Sequence, residues 1–192
     1  MKIENVVVAG IEEAIDSSKF AFEGKGVESS DKPAHDVAMN LSQAKPGRGH
    51  DGFLKTILLA MDVTATKQWW LEWSRYSFSD IGQSESTMHR LKDFDLDLVY
   101  IEYVDKLIVE RMKVLQAQYK ENPTKENLYR LLYSNPSGIE LKARIHSNYL
   151  QEKTIYLQRK DHALKPEWGP YTAWQKSLPR SYFIVGSTEN KK

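Results

Sequence analysis

Between Ile57 and Tyr76 the chain changes its hydrophobic period within a few residues, and that change dictates the architecture around it. Ile57 to Val63 is a short apolar run closing on Asp62, the pattern of a buried strand. From Thr66 onward Trp69, Trp70, Trp73 and Tyr76 recur at three- and four-residue steps, which predicts a helix with one aromatic face. Aromatic stripes at that spacing pack in a core or at a subunit interface. The helix is expected to end in a loop, Ser77 to Thr87, too polar for a core and too dense in hydroxyls and charges for an ordinary turn. The stretch Gly49 to Arg90 is therefore placed to meet a ligand.

The flanking segments read more plainly. Ile3 to Ala9 is a strand, and beyond Gly10 the spacing of Ile11, Ala14, Ile15 and Phe22 predicts a helix, with Glu12 and Glu13 where the first-turn dipole favours them. Residues 23–48 are loop-rich, broken by a short helix from Ala34 to Gln43, and residues 187–192 form a flexible tail. Asp93, Asp95 and Asp97 mimic the start of a calcium loop. Leu98 and Val104 stand where that loop needs Gly and Glu, so the segment is a solvated turn. A helix from Val99 to Lys120 would bury Val104, Leu107, Ile108, Val114 and Leu115, stopping at Asn122-Pro123, and Thr124 would cap another through Tyr133. Ser137-x-x-Glu140 has the form of a capping box, which predicts one long helix up to Pro166. Arg144, Asn148, Gln151, Arg159 and His162 would lie near one face of it. Such a stripe is either a solvated face or a reader of anions and base edges, since guanidinium forks bind phosphate bidentately.

Composition narrows the function. The 192 residues suit one domain, and 27 Lys and Arg against 26 Asp and Glu leave no global field to draw the chain onto nucleic acid or a membrane. The absence of Cys removes disulfides, thiol catalysis and Cys-ligated zinc, and together with the lack of a signal-length apolar stretch it points to a cytoplasmic protein. No Gly-x-Ser-x-Gly elbow occurs, and His50, Asp51 and His89 lack the spacing of a metal helix.

Two groups of residues, taken in order, carry a family resemblance. The first is Gly49-His50-Asp51-Gly52, the strand Ile57 to Val63, Thr66-Lys67, Arg75-Tyr76-Ser77 and Gln83-Ser84-Glu85-Ser86. The second is Glu140 to Ala143-Arg144, then Asn148, Leu157-Gln158-Arg159 and His162-Ala163. Their order resembles that of the flavin-dependent thymidylate synthases, the ThyX family. That family carries Gly-His, a strand, Ser-Arg and the signature Arg-His-Arg-x-x-Ser-x-Asn-Glu-x-Ser, then Glu-x-Ala-Arg, Asn, Leu-x-Arg and His-Ala.

The resemblance implies an α/β (α+β) fold, a mostly antiparallel sheet flanked by helices in a single ThyX-like domain over residues 1–192. It implies FAD as cofactor, NADPH and methylenetetrahydrofolate as co-substrates, reductive methylation of dUMP to dTMP, and a homotetramer with sites at subunit interfaces. Residue by residue, it places His50, Arg75, Asn148 and His162 near the flavin and Arg144, Arg159, Ser84, Glu85 and Ser86 at the nucleotide, with Arg159 also catalytic. The chain departs from the pattern at Lys55-Thr56, where the family has Glu-His, at Tyr76 and Ser77, where it has His and Arg, and at Ser84 in place of a Glu. The Leu-Pro loop that separates Ala-Arg from Asn is missing. The rival implication is a catalytically inactive module that keeps the fold for nucleotide or flavin binding or for assembly.

Overall fold

The structure is a computed structural model and describes residues 1–26, 31–44 and 48–186. The predicted tail, 187–192, lies outside the described residues, as do 27–30 and 45–47 of the loop-rich segment.

Strand β1 (Lys2–Ala9) ends at Gly10, whose φ of +82° and approach to Thr56 leave no room for a side chain: a Cβ there would sit 2.7 Å from the Thr56 carbonyl oxygen. Helix α1 (Ile11–Ser17) stops earlier than expected, and a separate 3-10 turn takes up Phe20–Phe22. Helix α2 (Ala34–Ser42) follows, then a second 3-10 turn (Gly52–Thr56) that leads into β2 (Leu58–Thr66). Thr66 ends the strand and caps α3 (Lys67–Trp73), its hydroxyl accepting the Trp69 N–H at 3.1 Å. The expected aromatic face is real: Trp69 and Trp73 are fully buried and stacked with centroids 6.1 Å apart, and Trp69 lies 5.2 Å from Trp168. Burial of about 150–250 Å² by each indole stabilises the fold by about 4–6 kcal/mol, so this helix anchors the core.

Downstream, the expected loop 77–87 contains an edge strand, β3 (Asp80–Ser84), followed by the short α4 (Thr87–Arg90). The helix expected from Val99 begins only at Lys106, because Asp105 caps it through the Leu107 N–H; α5 runs Lys106–Glu121. Its buried side chains are Met112 and Leu115, whereas Leu107, Ile108 and Val114 of the expected stripe are exposed. Helix α6 (Lys125–Tyr133) starts at the Thr124 cap as read.

The largest correction falls on Ser137 to Pro166. Glu140–Asn148 is strand β4, not helix, and only then do α7 (Tyr149–Arg159), α8 (Lys165–Ser177) and α9 (Tyr182–Val185) follow. Ala143, Ile145 and Ser147 point inward while Lys142, Arg144 and His146 alternate outward, a period of two that satisfies a sheet face. The helix start moves to Asn148, whose side chain accepts the Gln151 N–H at 2.9 Å. Pro166 lies in the first turn of α8 and opens a helix instead of ending one.

Among the described residues four strands form one antiparallel sheet in the order β1-β2-β4-β3. Leu59, Met61, Val63 and Ala65 of β2 and the inward residues of β4 meet α1, α3, α7, α8 and α9 in one apolar cluster. A second cluster, Leu91, Leu96, Met112, Leu115, Leu131 and Ile139, joins α5 and α6 to the segment ahead of them. The outer sheet face carries Val7, Leu58, Asp62 and Arg144, with Val7 and Leu58 exposed. No described helix is long and apolar enough to cross a membrane.

Candidate functional site

The 3-10 turn Gly52–Thr56 and the first turns of α7 come together although about a hundred residues separate them. Two buried side chains hold the loop ahead of the turn. Lys153 donates to Asp51 Oδ2 at 2.6 Å and to the Ser42 carbonyl at 2.7 Å, and its stem and the Asp51 carboxylate are almost wholly enclosed. The Tyr149 N–H donates to the Ile57 carbonyl at 3.2 Å, which closes the other end. What remains between them is a groove in two adjoining parts that share Lys55, Leu150 and Thr154. One, about 290 Å³, extends toward Gly49, Asp51 and Leu157, and the other, about 280 Å³, toward Phe78, Asn148 and Gln151. Each part lies near the lower end of ligand pockets, about 300 Å³, so one chain encloses a ring system and not a whole dinucleotide.

Of the residues singled out by sequence, Asn148 lines this groove as the cap of α7, and His50 is exposed in the loop beside it. Arg75 is exposed just beyond α3 and makes no ion pair among the described residues. The others lie elsewhere on the single chain.

Arg159 and His162 join a compact network around Glu72. Arg159 donates from Nε to the Tyr76 hydroxyl at 2.8 Å and from Nη1 to Glu72 Oε2 at 2.9 Å, with its guanidinium 4.6 Å from the Trp168 ring centre. Trp168 Nε1 donates to the same Glu72 oxygen at 2.9 Å. His162 accepts the Leu164 N–H at Nδ1, which assigns the ring proton to Nε2, 3.6 Å from Glu72. The Tyr76 hydroxyl donates onward to Gln158 Oε1, and burial pushes its phenol up despite the Arg159 hydrogen bond. This network ties α3, α7 and α8 together.

Arg144 stands on the outer face of the sheet, directly opposite Asp62 in the register, and bonds it at 3.0 Å. Hydrogen bonds from Asn5 and then Arg144 hold the Asp62 carboxyl below its usual range. Ser84 to Ser86 form the end of the edge strand and the start of α4: Glu85 accepts the Lys142 N–H at 2.8 Å, and the Ser86 hydroxyl caps the His89 N–H. Sequence reasoning passed over Phe78 and the roles of Glu72 and Lys153. It singled out Lys55 only as a departure and Gln151 only as part of a polar stripe.

Neither a protein-family model nor a curated protein matches the chain. Solved structures do. A flavin-dependent thymidylate synthase ThyX from Helicobacter pylori, complexed with FAD and dUMP, superposes with a TM-score of 0.76 at 10% identity, covering 98% of this chain and 99% of that one. A second structure of ThyX from Helicobacter pylori with FAD and dUMP gives 0.75 at 12% identity and full coverage of both chains. From end to end, the chain has the fold of the flavin-dependent thymidylate synthases.

Proposed function

We propose that this chain is a divergent flavin-dependent thymidylate synthase-like protein that holds the flavin of FAD in the groove between Gly52–Thr56 and α7 and methylates dUMP reductively to dTMP. The observation that carries the reading is the correspondence over essentially the whole of both chains with proteins complexed with FAD and dUMP. The groove fits a planar cofactor: Phe78 offers an exposed ring face, Asn148 and Gln151 offer amides, and Lys55 offers a cation without an ion-pair partner among the described residues. When bound, the flavin supplies hydride passed on from NADPH, while methylenetetrahydrofolate supplies the carbon. The chain's own part is to seat the ring against Phe78 and the first turn of α7 and to keep water from its buried side.

The proposal extends to one domain over residues 1–192, a cytoplasmic location and a homotetramer. Neighbouring subunits would complete a site that one chain only half encloses, and Arg144, with Ser84 to Ser86, would meet the nucleotide from such a neighbour. His50 and Arg75 would reach the flavin from the groove's rim.

A second reading, the inactive binding or assembly module, draws on Arg159 and His162. Both are engaged with Glu72, and Arg159 would reach a nucleotide only by releasing Tyr76 and Glu72. The test is dTMP formation from dUMP with FAD, NADPH and methylenetetrahydrofolate, alongside growth of a thymidine-requiring strain expressing the chain. Product that depends on every component supports the synthase. A chain that forms no dTMP, whether it binds FAD or takes up no flavin at all, contradicts the synthase and supports the second reading.

A further inference from the structure

Gln151 is a polar residue of the groove whose side chain the fold itself does not use. The residue is 6% exposed, and its backbone N–H is committed to Asn148. Its side-chain amide forms no hydrogen bond among the described residues. The Gln151 side chain lines the groove, where its partner must come from water or a ligand, whereas on α8 the Gln175 amide nitrogen donates to Glu152 Oε2 at 2.7 Å. The neighbours of Gln151 on α7 are all occupied: Glu152 accepts from Gln175 and Tyr171, Lys153 holds Asp51, and Thr154 donates to the Leu150 carbonyl. In the same part of the groove, Phe78 is 74% exposed and offers a free ring face.

A ligand that answers these features has a flat face for Phe78 and an edge that pairs with a primary amide. An amide presents one acceptor and two donors in a plane, so its complement is a ring N–H beside a ring carbonyl. A cyclic imide, C(=O)–NH–C(=O), offers that pairing. We infer that Gln151 is a specificity-determining residue that reads the imide edge of a planar heterocycle stacked on Phe78, accepting from the imide N–H and donating to one flanking carbonyl. The inference rests on the proposed function. Both the flavin ring and the uracil of dUMP carry an imide, and the test separates the two.

The wild-type chain and Gln151→Met, close in size and without the paired donor and acceptor, are titrated with lumiflavin, 3-methyllumiflavin, dUMP and N3-methyl-dUMP. N3-methylation replaces the imide proton with a methyl group, and comparison with Gln151→Met separates the lost hydrogen bond from the added bulk, since bulk alone would be felt by both chains. Thermal unfolding of the variant, expected to be no lower than that of the wild type, separates lost recognition from lost folding. The wild type should bind one parent ring about tenfold more tightly than its methylated form, the scale of one lost hydrogen bond, and Gln151→Met should bind the two alike. Discrimination in the lumiflavin pair assigns the residue to the flavin, and in the dUMP pair to the nucleotide. Discrimination that is absent, or that survives in Gln151→Met, overturns the inference while leaving flavin binding intact. A wild-type chain that binds none of the four compounds overturns the inference and the proposed function together.

Discussion

Replacing Arg159 with Leu separates a structural arginine from one held ready for a ligand. The substitution removes the bonds to Tyr76 and Glu72 and the stack on Trp168, and it leaves Glu72 with Trp168 Nε1 and His162 alone. The two charged side chains are 14% and 15% exposed, so most of their solvation has already been given up. Removing one partner from a fully buried pair costs about 3–5 kcal/mol, and the residual exposure here argues for the lower end, about 3 kcal/mol. For a chain of this length that lowers Tm by about 6–12 °C. Arg75→Leu is the control: an exposed side chain without an ion pair should change stability by no more than about 0.5 kcal/mol. Thermal unfolding followed by circular dichroism reads both, and a double-mutant cycle with Glu72→Gln should show a coupling of about 1–3 kcal/mol. An Arg159→Leu variant that unfolds within about 2 °C of wild type would refute the closed network, because a lost buried pair costs more than that.

Other perturbations follow from the same geometry. Burial pushes the Glu152 carboxyl up, so the folded chain keeps a proton that the unfolded chain loses above about pH 4.3. Its contribution to stability is complete below that pH and fades as pH rises toward the folded value, with a limiting slope of about 1.4 kcal/mol per pH unit. Urea unfolding across a pH series should show that slope flattened in Glu152→Gln. Lys153→Met strands the enclosed Asp51 carboxylate and should cost about 3–5 kcal/mol in the same assay, with part of the loss recovered when Asp51→Asn is added. Gly10→Ala forces a side chain onto a left-handed backbone and against the Thr56 carbonyl, and should lower stability by about 1–3 kcal/mol in thermal unfolding.

What could be read from sequence divides along physical lines. The helix carrying Trp69 and Trp73 was legible because large aromatic side chains at helical spacing have few ways to be buried other than on one helix face, although it ends at Trp73 and leaves Tyr76 in the turn beyond. Strand β2 was legible because its apolar run leaves no polar alternative. Strand β4 was not, since Lys142, Arg144 and His146 on the outer face blur the apolar alternation, while Ser137 and Glu140 imitate a helix start. That error carried the polar stripe with it: Arg144 belongs to the sheet's outer face, and Asn148 and Gln151 belong to the mouth of α7. The exposed stripe of α5 misled for a related reason, because a helix packed mainly through Met112 and Leu115 can leave Leu107 and Val114 in water. The groove itself depends on Lys153 reaching Asp51, and no local pattern in a sequence announces a contact across that separation.

A crystal structure of the chain soaked with FAD locates the flavin ring most directly. Ring density between Phe78 and the first turn of α7, with Lys55 and Gln151 in contact, is the predicted result. Density seated instead against the outer sheet face at Arg144, with the groove beside Gln151 filled only by solvent, would contradict it.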